Sequence, residues 1–223
     1  KVTGLDRPPV VETIPNFVDT DNLRPLDRLT DYRREHRLGD RTVVMYAGNL
    51  GHSQSLDLVV EAARRHQHRD DLVYVINGGG VRAEEMAATA AGLQNLIVIG
   101  YQPVERLAEV LATGDIHVVP LRAGLGSASV PSKAYSAMAA GRPVIASVDP
   151  GTGVALMVTE AGAGLAIPPD DPDAFTAAVE HLAGDAELRA RMGADARAWA
   201  ERCRSAKAVA GAYLDLVRRL IGP

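Results

Sequence analysis

From Thr42 onward, the chain alternates apolar runs of strand length with amphipathic stretches of helical period, and turn residues mark nearly every junction. Because the apolar runs are almost uninterrupted, they are typical of parallel strands that are buried on both faces. Right-handed crossovers would then place helices on both sides of the sheet. The pattern predicts an α/β fold with a Rossmann-like doubly wound parallel sheet. The predicted strands span residues 42–48, 71–77, 95–100, 115–120, 143–148 and 164–169.

The two ends of the chain have a different character from the sheet region. The first forty residues contain the segment IPNFVDTDNLRP, which is rich in Pro, Asn and Asp and predicts an extended connector before a basic helical stretch. Near the other end, Asp171 followed by Pro172 marks a helix start, because an N-cap side chain precedes a proline at the first helical position. Helical patterns continue to Ile221 and predict a helical C-terminal tail.

Composition narrows the class of partner. The net charge of -4 disfavours a nucleic-acid-binding surface, which usually needs a cationic face. Cys203 is the only cysteine, so an internal disulfide is excluded and a cysteine-based metal site is disfavoured. No apolar run approaches the roughly 20 residues that span a bilayer. We expect a globular protein of a reducing compartment.

Residues 121–147, LRAGLGSASVPSKAYSAMAAGRPVIAS, combine a Gly/Ser loop, a cationic helix start and a buried strand. A lysine in the first helical turn, here Lys133, is unfavourable against the helix dipole unless an anion occupies that end. Glycines allow close backbone approach and hydroxyls donate hydrogen bonds; the residues concerned are Gly124, Gly126, Ser127, Ser129 and Ser132, with Pro131 at the helix start. The segment favours a bound diphosphate, and the alternative is an ordinary loop with a solvated lysine.

Four segments resemble the carboxy-terminal, nucleotide-sugar-binding half of the GT-B-fold glycosyltransferases of the retaining family 4, or group 1, type. IPNFVDTD is similar to the crossing from the acceptor half into the donor half. VVMYAGNLGHSQSLDLVVEAA is similar to the first strand, glycine loop and helix of the donor half. VIGYQPVERLAEVLATGDIHVVPLRAG and VPSKAYSAMAAGRPVIAS resemble the base-side loop with its following strand and the donor-binding helix.

The resemblance implies roles for individual residues. A loop whose backbone approaches the donor phosphates would comprise Gly48, Asn49, Leu50, Gly51 and His52. Tyr101 and Gln102 would flank the base, and Ser132 and Lys133 would belong to the donor motif, with Ser136 in the place of a ribose-binding glutamate. Independently of the resemblance, Arg122 follows a predicted strand and is either a phosphate ligand or a surface arginine. Glu160 has two interpretations as well, a sugar contact or a plain helix-end carboxylate.

The chain also departs from the family pattern. Two glutamates that many members carry are replaced by Ala128 and Ser136, which puts the contacts to the transferred sugar and the ribose in question. Positive charge after the first strand is missing too, because Asn49 and Gln54 or Ser55 stand where many members have arginine and lysine. Charge for the diphosphate is therefore expected from Lys133, Arg122 and the helix end.

The implied domain organisation has three parts. Residues 1–41 would be an interdomain connector with a leading helical segment, and residues 42–203 a Rossmann-like nucleotide-sugar-binding domain. Residues 204–223 would form a C-terminal helix available to pack on a missing N-terminal acceptor domain. We expect this half to bind donor without turnover on its own.

The implied activity is transfer of a hexosyl or N-acetylhexosaminyl group, with retention, from a nucleoside diphosphate sugar to an acceptor hydroxyl. The GNLG and VPSK segments resemble a subgroup that acts in polysaccharide or lipid-linked oligosaccharide biosynthesis, often from UDP-linked sugars. The expected partners are the nucleotide sugar and an acceptor saccharide or lipid-linked saccharide, with no nucleic acid. No cofactor and no metal are expected, and the expected location is cytoplasmic or peripheral at the inner face of the plasma membrane.

Other functions remain open. A non-catalytic nucleotide-binding or regulatory module of the same fold would fit the loss of both glutamates. A nucleotide-sugar epimerase predicts catalytic groups that the sequence does not place. A dinucleotide oxidoreductase is disfavoured, because GNLGH stands where G-x-G-x-x-G is expected.

Side chains outside this site receive plainer interpretations. His117 lies within an apolar strand and is expected to be a hydrogen-bonded sheet histidine. His66 is expected to be solvated or to interact with a helix C-terminus. Arg189, Arg191, Arg197 and Arg202 are expected to form a solvated helical face.

Overall fold

The computed structural model describes residues 11–125 and 132–221. Within these ranges six parallel strands form one sheet in the order β3-β2-β1-β4-β5-β6. This order and the parallel pairing make the sheet doubly wound, as predicted. The strands are β1 (Thr42–Ala47), β2 (Leu72–Asn77), β3 (Leu96–Ile99), β4 (Ile116–Pro120), β5 (Val144–Ser147) and β6 (Gly164–Ile167).

Helices cover both faces of the sheet. The described ranges contain α1 (Asp31–Glu35), α2 (Asp57–Arg65), α3 (Ala83–Ala90), α4 (Leu107–Thr113), α5 (Ser132–Ala139), α6 (Gly153–Glu160), α7 (Pro172–Ala183), α8 (Ala186–Arg204) and α9 (Ala206–Ile221), with a short 3-10 helix at Val104–Arg106 before α4. Apolar residues of α2, α3 and α7 pack on one face, whereas α1, α4, α5 and α6 cover the other.

Successive side chains of β1 point to opposite faces of the sheet, so this strand contributes to two hydrophobic clusters. Val44 and Tyr46 belong to the cluster under α2, α3 and α7, and Val43 and Met45 belong to the cluster on the opposite face. All four side chains are fully buried, as the uninterrupted apolar run predicts. Strands β3 and β6 differ from the prediction, because they lie at the two edges of the sheet and are only partly buried.

The segment before β1 packs on the sheet domain. The Val18 N–H donates to the Arg204 carbonyl at 2.8 Å. Further along, Arg33 Nη2 lies 2.7 Å from the buried Asp115 carboxylate, and Arg28 Nε lies 2.7 Å from the other oxygen of that carboxylate. Because this segment is held so closely, residues 18–41 extend the core of the described domain. The three-part division of the chain stays a prediction.

The helical tail begins where the sequence indicates. The Asp171 side chain caps α7 by accepting hydrogen bonds from the Asp173 and Ala174 N–H groups at 3.0 and 2.9 Å, and Pro172 occupies the first helical position. The tail is interrupted at Ser205, whose extended backbone separates α8 from α9. No helix in the described ranges combines the length and apolarity that a membrane span requires.

His66 lies at the C-terminal end of α2, the second of the two environments expected for it. His66 is buried, because its Nδ1 meets the Tyr74 hydroxyl at 2.6 Å and its Nε2 meets the Glu180 carboxylate at 3.0 Å. Arg197 was wrongly predicted to belong to a solvated face. Arg197 donates to three backbone carbonyls at 2.7 to 2.9 Å and so fastens α8 to the connector and α5. His117 was predicted correctly, since its Nε2 lies 2.8 Å from the Leu111 carbonyl oxygen.

Candidate functional site

A cavity of about 300 Å³ opens at the carboxyl ends of β1, β2 and β4. The strand order reverses between β1 and β4, and open α/β sheets bind ligands at such a switch point. Six of the predicted site residues line this cavity, namely Gly48, Tyr101, Gln102, Ser132, Lys133 and Ser136. The remaining lining residues are mainly apolar and come from the ends of β1 and β2, the β3–α4 connection, α4 and β4. The sheet thus brings together three segments that are distant in the sequence.

Among the described residues that line the cavity, Lys133 carries the positive charge. Its side chain passes directly under Gly48, where a Cβ atom would lie 2.2 Å from Lys133 Cε, and its Nζ atom lies 5.5 Å from the centre of the Tyr46 ring. Burial lowers the pKa of Lys133 below its usual value. No carboxylate within residues 11–125 and 132–221 lies within ion-pair distance of it. The ammonium is therefore half-buried and compensated by an aromatic face alone in the described part of the chain.

The loop after β1 presents free backbone donors. The Leu50 N–H donates to the Gly79 carbonyl at 2.8 Å, and the fully buried Leu50 side chain anchors the loop in the core. The N–H groups of Asn49, Gly51 and His52 have no acceptor among the described residues. Successive free N–H groups in a suitable turn conformation can bind an anion. Of this loop, Gly48 lines the cavity, whereas Asn49, Leu50, Gly51 and His52 follow it in the chain and do not.

The opposite wall of the cavity is formed by the segment after β3. Asn77 Nδ2 donates to the Gly100 carbonyl at 2.8 Å, and Gln102 Nε2 donates to the same oxygen at 3.2 Å. The Tyr101 ring lies on the backbone of Gly79, where a Cβ atom would approach it to 2.9 Å, yet 63% of Tyr101 is exposed. One aromatic face therefore stays available to a planar ligand at this wall.

The start of α5 contributes hydroxyl groups. Ser132 and Ser136 line the cavity, and the Ser136 hydroxyl donates to the Ser132 carbonyl at 3.2 Å. In this arrangement the Ser136 oxygen can still accept a hydrogen bond from a ligand, and rotation of the hydroxyl would let it donate one instead. The other predicted residues of this loop, Gly126, Ser127, Ala128, Ser129 and Pro131, lie outside the described residues.

Arg122 does not line the cavity. Its Nε donates to the His52 carbonyl at 2.9 Å, and its Nη2 lies 3.1 Å from the Asp57 carboxylate. Asp57 also pairs with Arg82 at 2.8 Å. Burial opposes ionisation of Asp57, but Arg82 and Arg122 outweigh that effect and hold its pKa below the usual value. Arg122 thus braces the loop after β1 against the loop after β4, while the exposed His52 lies outside the cavity lining.

Two carboxylates that the sequence analysis did not single out fix the loop after β4. Asp149 accepts the Gly124 N–H at 2.9 Å, and Asp170 accepts the Ala123 N–H at 2.9 Å and the Ser55 hydroxyl. Burial raises the pKa of Asp170, yet these hydrogen bonds outweigh it and leave the pKa lowered. Asp170 adopts a positive φ of 55°, which aspartate tolerates better than most residues. No pattern in the sequence signals this distant pairing.

A metal site is not formed by the described side chains. In residues 11–125 and 132–221, no three His, Cys, Asp or Glu residues lie close enough together to hold a metal ion. Glu160, expected to be either a sugar contact or a helix-end carboxylate, is the last residue of α6 and borders a separate apolar groove beside β6 and not the cavity.

The sequence and the fold are similar to those of known proteins. The family model of glycosyl transferases group 1 matches residues 29–199, more than half of the chain. A putative colanic acid biosynthesis glycosyl transferase, WcaI of Escherichia coli K12, is 27% identical over 80% of this chain and 44% of its own length. The D-inositol 3-phosphate glycosyltransferase of Geodermatophilus obscurus is 31% identical over 83% of this chain and 44% of its own length.

Among solved structures, Anabaena HepE in complex with UDP superimposes with a TM-score of 0.76 at 14% identity, covering 93% of this chain and 57% of that protein. This likeness concerns the fold, and it agrees with the predicted Rossmann-like half of a GT-B architecture. The chain spans less than half the length of the two curated relatives named above. With the family model matched across the sheet and its helices, this chain belongs to the group 1 glycosyl transferases.

Proposed function

We propose that this chain is the donor-binding half of a retaining glycosyltransferase, and that its cavity holds the nucleoside diphosphate of the donor sugar. The observation that carries the proposal is the half-buried ammonium of Lys133, which faces the Gly48 loop without a carboxylate partner among the described residues. A desolvated, uncompensated cation is costly. A diphosphate would supply the missing negative charge.

The chemistry that follows is leaving-group stabilisation. As the bond between the sugar and the diphosphate breaks, negative charge accumulates on the phosphate oxygens. Lys133 lines the cavity and is in place before the reaction, so its attraction to the phosphate oxygens grows with that charge. We infer that free N–H groups of the loop that begins at Gly48 add to it where the diphosphate extends past the cavity. This stabilisation of the leaving group involves no proton transfer by a described residue.

The choice of UDP as nucleotide rests on relatives. HepE, which shares the fold, has been solved with UDP. In the present chain, the exposed face of Tyr101 offers a stacking surface for a base at the wall opposite Lys133. We infer that the base stacks there and that the diphosphate extends toward α5.

The biological setting is proposed from the relatives and from the family resemblance. WcaI is described as a colanic acid biosynthesis enzyme, which favours a role in polysaccharide or glycolipid biosynthesis. The acceptor, a saccharide or lipid-linked saccharide, would bind to a separate N-terminal half at the cytoplasmic face of the membrane. Exposed Tyr213, Val217 and Leu220 on α9 offer that half an apolar surface. Without it, this half would bind donor and not turn it over.

Calorimetric titration tests the proposal. The chain is titrated with UDP, UDP-N-acetylglucosamine, GDP, ADP and NAD without added metal, and we expect binding of UDP and its sugar but not of NAD. The variant Lys133→Ala is titrated under the same conditions and should bind UDP and its sugar more weakly. Absence of binding by every nucleoside diphosphate at millimolar concentration would overturn the proposal.

A second function, a non-catalytic nucleotide-binding module, is favoured by Ser136 in the place of a ribose-binding glutamate. The two functions differ in the full-length protein. Release of UDP from UDP-N-acetylglucosamine in the presence of an acceptor saccharide would support the transferase. Tight donor binding without any release under the same conditions would support the module.

A further inference from the structure

Tyr46 contacts both the loop after β1 and the side chain of Lys133. It lies near the end of β1 and is fully buried. Its hydroxyl donates to the Asn49 carbonyl at 2.5 Å, within the loop that presents the free N–H groups. Its ring lies under the Lys133 ammonium, with Nζ 5.5 Å from the ring centre. One side chain therefore contacts both the loop and the cation.

The ring is also the principal compensation that Lys133 has in the described part of the chain. A cation within about 6 Å of an aromatic centroid is attracted to the electron-rich ring face, and the attraction grows when the pair is desolvated. Lys133 has no ion pair with described residues, and burial acts against its charge. Tyr46 is thus placed to keep the ammonium charged and oriented before a ligand arrives.

The cation beside the Tyr46 ring is a lysine and not an arginine, which supports this role of Tyr46. Of the 24 lysines and arginines in the chain, Lys1, Lys133 and Lys207 are the three lysines. The Lys133 stem runs close against Gly48, with Cε 2.2 Å and Cδ 3.0 Å from the position of a Cβ there, and a planar guanidinium is larger than the compact ammonium. The Tyr46 ring lies beneath the Lys133 ammonium and so influences its orientation.

We propose that Tyr46 is a positioning residue for donor binding, which orients Lys133 through its ring and the Gly48–Gly51 loop through its hydroxyl. This inference rests on the proposed function, because both targets of Tyr46 are assigned to the diphosphate. It adds that one buried side chain positions both Lys133 and the Gly48–Gly51 loop. The ring and the hydroxyl can be tested separately.

Graded fluorination tests the ring. The variant Tyr46→Phe is compared with chains that carry 3,5-difluorophenylalanine or 3,4,5-trifluorophenylalanine at position 46, which weaken the ring face at nearly constant shape. UDP affinity should fall stepwise, by about two- to fivefold in total. In the Lys133→Gln background the same series should be flat. Equal slopes in the two backgrounds, or no slope with Lys133 present, would overturn the role of the ring.

The hydroxyl is tested by Tyr46→Phe itself. Loss of the bond to the Asn49 carbonyl should lower UDP affinity by about two- to tenfold, and this loss should persist in the Lys133→Gln background. The matched control is Tyr74→Phe, which removes another buried hydroxyl, bonded to His66. That control should lower thermal stability and leave UDP affinity unchanged. An unchanged affinity in Tyr46→Phe would remove the hydroxyl from the proposal.

A measurement without ligand separates failure of this inference from failure of the proposed function. With three lysines, the Lys133 ¹³Cε resonance can be assigned by comparison with Lys207→Ala and Lys133→Gln and titrated by NMR. Fluorination at position 46 should lower the Lys133 pKa stepwise, because the ring favours the charged form. If no nucleotide binds, the proposed function fails, and this titration still decides whether Tyr46 holds Lys133. A constant pKa across the series would overturn that contact.

Discussion

Gly48 and Lys133 are packed so closely that a side chain at position 48 would displace the lysine stem: a Cβ atom there would lie 2.2 Å from Lys133 Cε. The φ angle of Gly48 is +148°, which a side chain would also strain. We expect Gly48→Ala to push Lys133 out of its place and lower UDP affinity at least about tenfold, the loss of one charge-assisted contact. Calorimetric titration measures this loss.

The control for this substitution is Gly92→Ala. Gly92 lies on the surface with open space where its Cβ would be, and it is far from the cavity lining. Its substitution should leave UDP affinity unchanged. If Gly48→Ala bound UDP as tightly as the parent chain, the close packing of Gly48 and Lys133 would be irrelevant to the ligand.

Removal of the lysine charge gives the next prediction. Lys133→Ala should lower UDP affinity by about tenfold to a hundred-and-fiftyfold, the range for a lost hydrogen bond to a charged group. Thermal stability should hold or rise, because a half-buried cation without an ion pair among the described residues is removed. An unchanged affinity would exclude Lys133 from the site.

The pH dependence of binding follows from the Lys133 pKa. Burial lowers this pKa, so the ammonium loses its proton at a lower pH than an ordinary lysine does. UDP favours the charged form, so affinity should fall as the pH rises through the pKa of the free protein. Titrations across pH 7 to 10 should show this fall in the parent chain and a flat profile in Lys133→Ala. A parent profile as flat as that of the variant would contradict the prediction.

The strands could be predicted because the physics that forms them is local. Strands β1, β2, β4 and β5 are buried on both faces, and an uninterrupted apolar run reports that state directly. Each of the six strands lies within its predicted range, shortened by one or two residues at one end or both. The prediction of two-sided burial was wrong for β3 and β6, because position at the edge of the sheet is set by topology.

The cavity itself was predictable only in part. The Gly/Ser loop and the helix start indicated Ser132 and Lys133, and the family resemblance implied four further lining residues, Gly48, Tyr101, Gln102 and Ser136. The buried environment of His66 was not predictable, because Tyr74 and Glu180 reach it from other elements. Arg122 illustrates the same limit: its sequence position indicates the strand end, whereas its orientation depends on Asp57, sixty-five residues earlier.

The pairing of Arg122 with Asp57 yields a prediction of opposite sign. Asp57 carries negative charge in the first turn of α2, directly after the loop with free N–H groups, and it occupies one face of Arg122. Asp57→Asn should therefore raise UDP affinity by about two- to fivefold, the scale of an exposed ion pair. In the Arg122→Gln background this gain should shrink. A lower affinity in Asp57→Asn would show that the brace matters more than the charge.

His117 provides a prediction about stability. It lies in β4, borders the cavity and is buried, and burial lowers its pKa to about 4. In the unfolded chain a histidine has a pKa of about 6.5, so between these values the unfolded state binds more protons than the folded state. The stability that the neutral imidazole contributes is complete above about pH 6.5 and is lost as the pH falls toward 4. This loss is on the order of 3 kcal/mol.

His117→Gln isolates this contribution from the other acid-sensitive groups. Glutamine can still donate an N–H toward the Leu111 carbonyl that His117 contacts at 2.8 Å, but it does not titrate. Urea unfolding at pH 7 should show the variant to be less stable, because the ring is better packed. As the pH falls to 4, the free-energy gap should narrow by up to about 3 kcal/mol. A gap that stays constant from pH 7 to pH 4 would mean that His117 takes up its proton in the folded state as readily as in the unfolded one.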